Sequence, residues 1–212
     1  MKKLYIYEHC PYSVKATMVA RARNIDVQIC YLQADDTTTA IQLVGKSTVP
    51  ILAKNQNIAM AQSLDIAAYF CKRAKMPLDH GDYLTPASKW VETYLPTFLR
   101  LTLPRWPQLA LPEFGTPNAI VYYCDKKEAL LGATFADILA HSDEDITIMD
   151  RALDELSWLD APDEISWADV AIFPFLRNLT VVKGLHTPEH IQHYVHQVAT
   201  MSNIRTFTDV AV

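Results

Sequence analysis

Residues Cys10-Pro11-Tyr12-Ser13 place a thiol where a strand hands over to a helix. An alternating run, Lys3-Leu4-Tyr5-Ile6-Tyr7, comes before them, and a helix-like run, Val14-Lys15-Ala16-Thr17-Met18-Val19-Ala20, follows. A helix start offers backbone N–H groups without intrahelical partners and a partial positive charge, and both favour thiolate over thiol. The sulfur of Cys10 is therefore expected to be reactive near neutral pH. Proline suits the first helical position because its missing N–H has no partner to lose there, which leaves the amides of Tyr12 and Ser13 to point at the sulfur. The plain alternative is a small buried cysteine followed by a helix-starting proline, and the strand-turn-helix setting argues against it.

A dithiol catalyst would carry a second cysteine three residues after the first, to attack the mixed disulfide that the first one forms. Ser13 holds that position. A hydroxyl neither forms nor breaks a disulfide, so the chain cannot cycle through an internal bridge here. A hydroxyl one helical turn from Cys10 can still donate a hydrogen bond that favours the thiolate. Cys10 as nucleophile and Ser13 as its supporting hydroxyl fit a one-thiol mechanism in which an external small thiol resolves the intermediate.

Two further segments bear on the same chemistry. Thr48-Val49-Pro50 opens a strand. X–Pro bonds are cis in only about 5 to 6% of folded cases, so a trans proline at a strand start is the default. A cis bond would leave the N–H and C=O of Val49 facing outward beside the sulfur, able to pair with an extended peptide as an added strand does. Gln62-Ser63 precedes a helix, and Ser63 reads as an ordinary N-cap. A helix start with a hydroxyl and amides also suits a carboxylate, while the Gln62 carbonyl could accept from an ammonium group. Together these features describe a cradle for a short thiol peptide.

The surrounding elements would hold these groups in place. Up to about residue 75, strand-like and helix-like pieces alternate: Leu4 to Tyr7, a helix from Pro11 to Arg23, a turn at Asn24, Val27 to Leu32, and a short helical piece. Val49 to Ala53 and Ile58 to Ala61 then read as a hairpin around the polar turn Lys54-Asn55-Gln56-Asn57, and a helix from Ser63 to Ala74 closes the unit. This order implies a small α/β layer whose mixed sheet has a parallel pair joined by the first helix, followed by a hairpin. Met76 to Asp82 reads as a linker. Everything beyond it reads as helical, over roughly 86 to 102, 117 to 140, 144 to 159, 167 to 183 and 188 to 201. Ser166-Trp167-Ala168-Asp169 has the spacing of a capping box. The apolar run that follows puts its helix in the middle of a bundle.

Composition excludes several classes. Half of the 212 residues are hydrophobic and 20% are charged, which excludes a disordered chain. No apolar run approaches the roughly 18 residues needed to cross a bilayer. Residues 1–75 carry ten Lys or Arg against five Asp or Glu, and residues 76–212 carry nine against nineteen. The basic first half suits an anionic small molecule, but it forms no dense tract, and a net charge of -5 argues against nucleic acid. The cysteines at 10, 30, 71 and 124 are widely spaced and no secretory leader precedes them, so a reducing cytoplasm is expected. Cys30, Cys71 and Cys124 read as inert. His186, His190, His193 and His196 read as a polar helix face rather than a metal site. The four tryptophans, Trp90, Trp106, Trp158 and Trp167, read as packing anchors.

The Cys-Pro-Tyr start, Thr-Val-Pro, and Gln-Ser before the third helix resemble the thioredoxin-type fold of the glutaredoxin and glutathione transferase superfamily. Over nearly its whole length the chain is similar to the bacterial two-domain glutaredoxins of the glutaredoxin-2 family. The shared strings include Tyr5-Ile6-Tyr7 before His9-Cys10-Pro11-Tyr12, Val49-Pro50-Ile51-Leu52, Asp125-Lys126-Lys127-Glu128, the run from Phe135 to Asp143, and the run from Phe173 to Thr180. Ser13 departs from the family, which has a second cysteine there, and so does Gln62, where glutamate is common. The resemblance implies a thioredoxin/glutaredoxin-like domain over 1–75, a linker over 76–85, and an all-helical, transferase-like domain over 86–212. It also implies a cytoplasmic, monomeric glutathione-dependent thiol–disulfide oxidoreductase. Its partners would be glutathione, as co-substrate, and glutathionylated proteins or small disulfides, with no metal, nucleic acid or membrane. In that reading Cys10 is the nucleophile, Val49 and Pro50 hold the cysteinyl part of glutathione, Gln62 and Ser63 hold its γ-glutamyl end, and Tyr12 packs on the ligand. Two other classes share the fold: a cysteine-type glutathione transferase or dehydroascorbate reductase, and a non-catalytic binding module.

Overall fold

The computed structural model describes residues 1–55 and 57–212, so Gln56 of the expected hairpin turn lies outside the described residues. The chain divides into two compact units, one of Met1–Leu78 with Ala110–Tyr123 and one of Asp79–Leu109 with Cys124–Val212.

In the first unit, β1 (Lys3–Ile6), α1 (Pro11–Ala22), β2 (Gln28–Tyr31), α2 (Thr37–Val44), β3 (Ile51–Ala53), β4 (Ala59–Ala61) and α3 (Ser63–Ala74) follow one another. The sheet order is β2-β1-β3-β4. β1 pairs parallel with β2 and β3 pairs antiparallel with β4, as the alternating pieces imply, and β1 also pairs antiparallel with β3. In β1 the side chains alternate: Leu4 and Ile6 are buried while Lys3 and Tyr5 point the other way. The central strand β3 is buried along its whole length, so it reads as an unbroken apolar run. α1 packs against α3, bringing Val14 and Met18 of one and Ile66 and Phe70 of the other into the core with Leu4, Ile51 and Leu52. Each fully buried aliphatic or phenyl side chain contributes about 1.5–3 kcal/mol. Asn24, at φ 49°, makes the turn that releases α1 toward β2.

The second unit is helical. α4 (Leu84–Thr102) packs on α7 (Ser142–Asp154) and on α8 (Trp167–Leu179), and α8 packs on α9 (Glu189–Ser202). Every residue of α8 from Ala168 to Leu179 is buried, the expected middle position, and its start carries the full capping box between Ser166 and Asp169. The helix read over 117 to 140 is in fact two, α5 (Pro117–Leu131) and α6 (Phe135–Ala140). Gly132, at φ 69°, ends the first, and Thr134 caps the second by accepting from the Asp137 N–H. α5 begins in the first unit and continues into the second. Trp90 and Trp106 are buried as packing anchors, with Trp90 Nε1 donating to the Ala152 carbonyl at 2.8 Å. His186, His190, His193 and His196 are all exposed.

Candidate functional site

Register alone gathers the residues singled out by their chemistry. Tyr5 lies opposite Ile51, and Ile51 lies opposite Ala61, so three strands share one edge. β1 leaves that edge toward Cys10, β3 enters it from Val49 and Pro50, and β4 leaves it into Gln62 and Ser63. α1 and α3 therefore both begin there. The parallel pairing of Ile6 with Tyr31 brings the end of β2, and with it Gln33 and Ala34, to the same edge.

Cys10 is the N-cap of α1, with extended backbone, and Pro11 takes the first helical position. The first intrahelical bond runs from the Val14 N–H to the Cys10 carbonyl at 3.0 Å, so the N–H groups of Tyr12 and Ser13 lie ahead of the ladder, at its positive end. Cys10 is half-buried rather than sealed from solvent. Charge at its sulfur reaches two neighbouring phenols: burial first, and then Cys10, raises Tyr7 well above the ordinary tyrosine range and also raises Tyr12. Tyr12 is exposed, and Lys15 Nζ sits 5.6 Å from the centre of its ring. Burial lowers the Lys15 ammonium from its usual range. Ser13 is fully buried, and its Oγ accepts from the Tyr7 N–H at 3.4 Å.

The Val49–Pro50 bond is cis, not the default trans, and Pro50 is buried just ahead of β3 rather than inside it. Among the described residues, neither the N–H nor the C=O of Val49 has a hydrogen-bond partner. The N-cap of α3 is Gln62, not Ser63, which is the first helical residue and is buried. Gln62 holds φ 72° and ψ 116°, and its side chain makes no capping bond. A residue with a side chain in that region costs about 1–3 kcal/mol, the kind of strain that gathers at functional sites.

One pair escaped the reading of the sequence. Glu113 sits in the short 3-10 turn Pro112–Phe114 and is fully buried. Its Oε1 accepts from the His9 backbone N–H at 3.0 Å and lies 2.5 Å from His9 Nδ1. The His9 ring is stacked between Tyr7 and Phe114, with Tyr123 edge-on. Burial raises the Glu113 carboxyl, but the bonds to His9 outweigh it and hold the group below the usual glutamate range. The available signal was a carboxylate in the apolar stretch Leu109-Ala110-Leu111-Pro112-Glu113-Phe114. Its partner lies 104 positions away, beyond the reach of local spacing.

Cys30 and Cys124 are half-buried and Cys71 is buried, and none of the three is paired in a disulfide. Burial raises the thiols of Cys71 and Cys124, which keeps them protonated. No group of three or more His, Cys, Asp or Glu side chains able to hold a metal ion occurs among the described residues. No helix among them is long and apolar enough to cross a membrane.

The family model described as the C-terminal domain of glutaredoxin 2 matches residues 87–211, and that of the glutathione S-transferase N-terminal domain matches residues 4–78. Glutaredoxin 2 of Escherichia coli K12 is 39% identical over 217 residues, covering 99% of this chain and 100% of that protein. The crystal structure of Salmonella typhimurium glutaredoxin 2 in complex with glutathione superposes with a TM-score of 0.93 at 35% identity, over 100% of this chain and 99% of that one. Glutathione transferase Omega 3C of Trametes versicolor, at 15% identity and a TM-score of 0.61 over 97% of this chain and 84% of that one, shares the fold alone. A cysteine-led helix start within such a full-length match leads to one conclusion: the chain belongs to the glutaredoxin 2 family of glutathione-disulfide oxidoreductases.

Proposed function

We propose that this glutaredoxin works through a single thiol and removes glutathione from mixed disulfides. The Cys10 thiolate attacks the glutathione sulfur of the mixed disulfide, and the substrate thiolate leaves and takes up a proton. Cys10 is then joined to glutathione. The thiolate of a second glutathione attacks the glutathione sulfur of that adduct, which releases Cys10 as thiolate and gives glutathione disulfide. The net reaction of mixed disulfide with one glutathione gives substrate thiol and glutathione disulfide: the substrate sulfur is reduced to a thiol as the second glutathione's thiol is oxidised to the disulfide level. The observation that carries this reading is the pairing of Cys10 at the helix start with Ser13, a hydroxyl unable to resolve a disulfide, one turn on.

Glutathione fits this edge as a short extended peptide. The N–H and C=O of Val49 pair with its cysteinyl residue beside Pro50, as a strand pairs with a sheet edge. The start of α3 at Ser63 receives the γ-glutamyl carboxylate and the Gln62 carbonyl receives its ammonium. Tyr12, exposed beside Cys10, packs on the ligand. The Salmonella relative in complex with glutathione supports glutathione as the ligand. The Ser13 Oγ, whose lone pair takes the Tyr7 N–H, has its proton left for the Cys10 sulfur. The protein acts as a cytoplasmic monomer on glutathionylated proteins and small disulfides, in keeping with unpaired Cys30, Cys71 and Cys124.

The test is turnover of a glutathione mixed disulfide by wild type and by Cys10→Ala. Activity is expected to vanish in the variant. Full activity in Cys10→Ala would overturn the assignment of the nucleophile.

A further inference from the structure

Two long hydrogen bonds close the turn between Tyr7 and Cys10. The Cys10 N–H reaches the Tyr7 carbonyl at 3.4 Å, and the Tyr7 N–H reaches Ser13 Oγ at 3.4 Å, both at the far end of hydrogen-bond range. Closer contacts reach His9 from elsewhere in the chain, through Glu113 Oε1 to its N–H and Nδ1. An ionised carboxylate only accepts, so at this contact Nδ1 carries the hydrogen. Glu113 is itself anchored by its C=O, which accepts from the Ala34 N–H at 2.9 Å; the Gln33 Nε2 bond of 2.8 Å goes to the Pro112 carbonyl and touches neither Glu113 nor His9. Oε2, by contrast, is buried and has no hydrogen-bond partner among the described residues. A buried carboxylate with one oxygen unpartnered is costly to keep. What that oxygen's neighbour does for the residue preceding Cys10 is the benefit the fold retains.

We propose that Glu113 is a positioning residue for the thiol chemistry: as a single acceptor, Oε1 fixes the His9 peptide and ring, and through them the backbone that delivers Cys10 to the start of α1. The proposal rests on Cys10 being the nucleophile. Displacing a reacting atom by about an ångström costs up to about a hundredfold in rate, so a loosened His9 peptide is read in the chemical step and not in glutathione binding.

The experiment compares wild type with Glu113→Ala, Glu113→Gln and Gln33→Ala. It reads the rate of iodoacetamide alkylation at Cys10 near neutral pH, together with kcat and KM for glutathione on a mixed disulfide. Glu113→Ala is expected to lower alkylation and kcat by about tenfold or more while KM stays within about twofold. Glu113→Gln keeps an acceptor oxygen and is expected to stay within about twofold of wild type in every reading. Gln33→Ala removes a bond to the same 110–123 segment without touching His9, and it too leaves Cys10 alkylation unchanged. Should Glu113→Ala fail to fold, the double variant His9→Phe with Glu113→Leu removes the ring donor and the acceptor together, keeps the ring stack, leaves only the backbone N–H of residue 9 without its bond, and carries the same expected loss. Wild-type alkylation rates in Glu113→Ala, or an equal loss in Glu113→Gln or Gln33→Ala, would overturn the proposal. A wild-type Cys10 no more reactive than Cys124 would instead overturn the nucleophile reading on which it rests.

Discussion

Replacing Ser13 by cysteine should turn a one-thiol enzyme into a two-thiol enzyme at little structural cost. Ser13 is fully buried, and its Oγ accepts a single long bond from the Tyr7 N–H at 3.4 Å. Losing that bond costs at most about 1 kcal/mol. For a chain of this length such a loss lowers Tm by roughly 2–4 °C. The geometry of the gain follows from the helix. Three residues rise about 4.5 Å along the axis and return nearly to the same face, which puts the Cα atoms of positions 10 and 13 about 5 Å apart. Disulfides span Cα separations of about 4.4–6.8 Å, so a thiol at 13 can close on Cys10. Attack within the molecule then replaces an encounter with glutathione, and turnover of a protein disulfide is expected to rise by about a hundredfold or more in Ser13→Cys. Deglutathionylation stays within about threefold of wild type, since its steps never used position 13 as a thiol. The assay follows NADPH oxidation through glutathione reductase, on a model protein disulfide and on a glutathione mixed disulfide. Wild-type reduction of the protein disulfide at the rate of Ser13→Cys would refute the reasoning, because a resolving thiol would then exist elsewhere in the chain.

Gln62→Gly should stabilise the protein by about 1 kcal/mol in urea unfolding, because glycine relieves the strain at φ 72°. The same change should raise KM for glutathione by about tenfold through loss of the Gln62 carbonyl. Glu113 is held below its ordinary range in the folded protein, so its contribution is fully present above the unfolded value of about 4.3 and is lost as pH falls through the folded value. Urea unfolding across a pH series should therefore show the stability gap between wild type and Glu113→Gln constant near neutrality and shrinking below about pH 4.3. In the helical unit, the buried Tyr194 hydroxyl donates to Asp169 Oδ1 at 2.7 Å. Tyr194→Phe leaves that carboxylate oxygen short of a donor and should cost about 1.5–3 kcal/mol, read as a lower urea midpoint.

What the sequence made legible is what local spacing determines. The alternation in Lys3 to Tyr7, the proline after Cys10 and the apolar stripe of α3 each announce an element within one stretch of chain, and α3 occupies its expected span from Ser63 to Ala74. The parallel pair and the hairpin are legible because a helix joins β1 to β2 and a short turn joins β3 to β4, whereas the antiparallel pairing of β1 with β3, which fixes the strand order, has no local signal. Boundaries slipped where one residue's backbone decides the outcome. Gly132 split the long helix read over 117 to 140, and Gln62, in a conformation unusual for glutamine, displaced Ser63 from the cap. The cis bond at Val49–Pro50 is not legible, since no local residue pattern decides between it and the commoner trans form. Glu113 was illegible for a different reason. A lone carboxylate between a proline and a phenylalanine acquires meaning only when the fold carries it beside His9.

The central claim is that Cys10 alone exchanges with glutathione, and peptide mapping of the trapped adduct tests it most directly. Wild-type protein is incubated with a glutathione mixed disulfide, quenched before a second glutathione can act, and digested. The account predicts one glutathione per chain, on the peptide bearing Cys10, and none in Cys10→Ser. Glutathione on Cys30, Cys71 or Cys124, or a wild type that carries none, would contradict it.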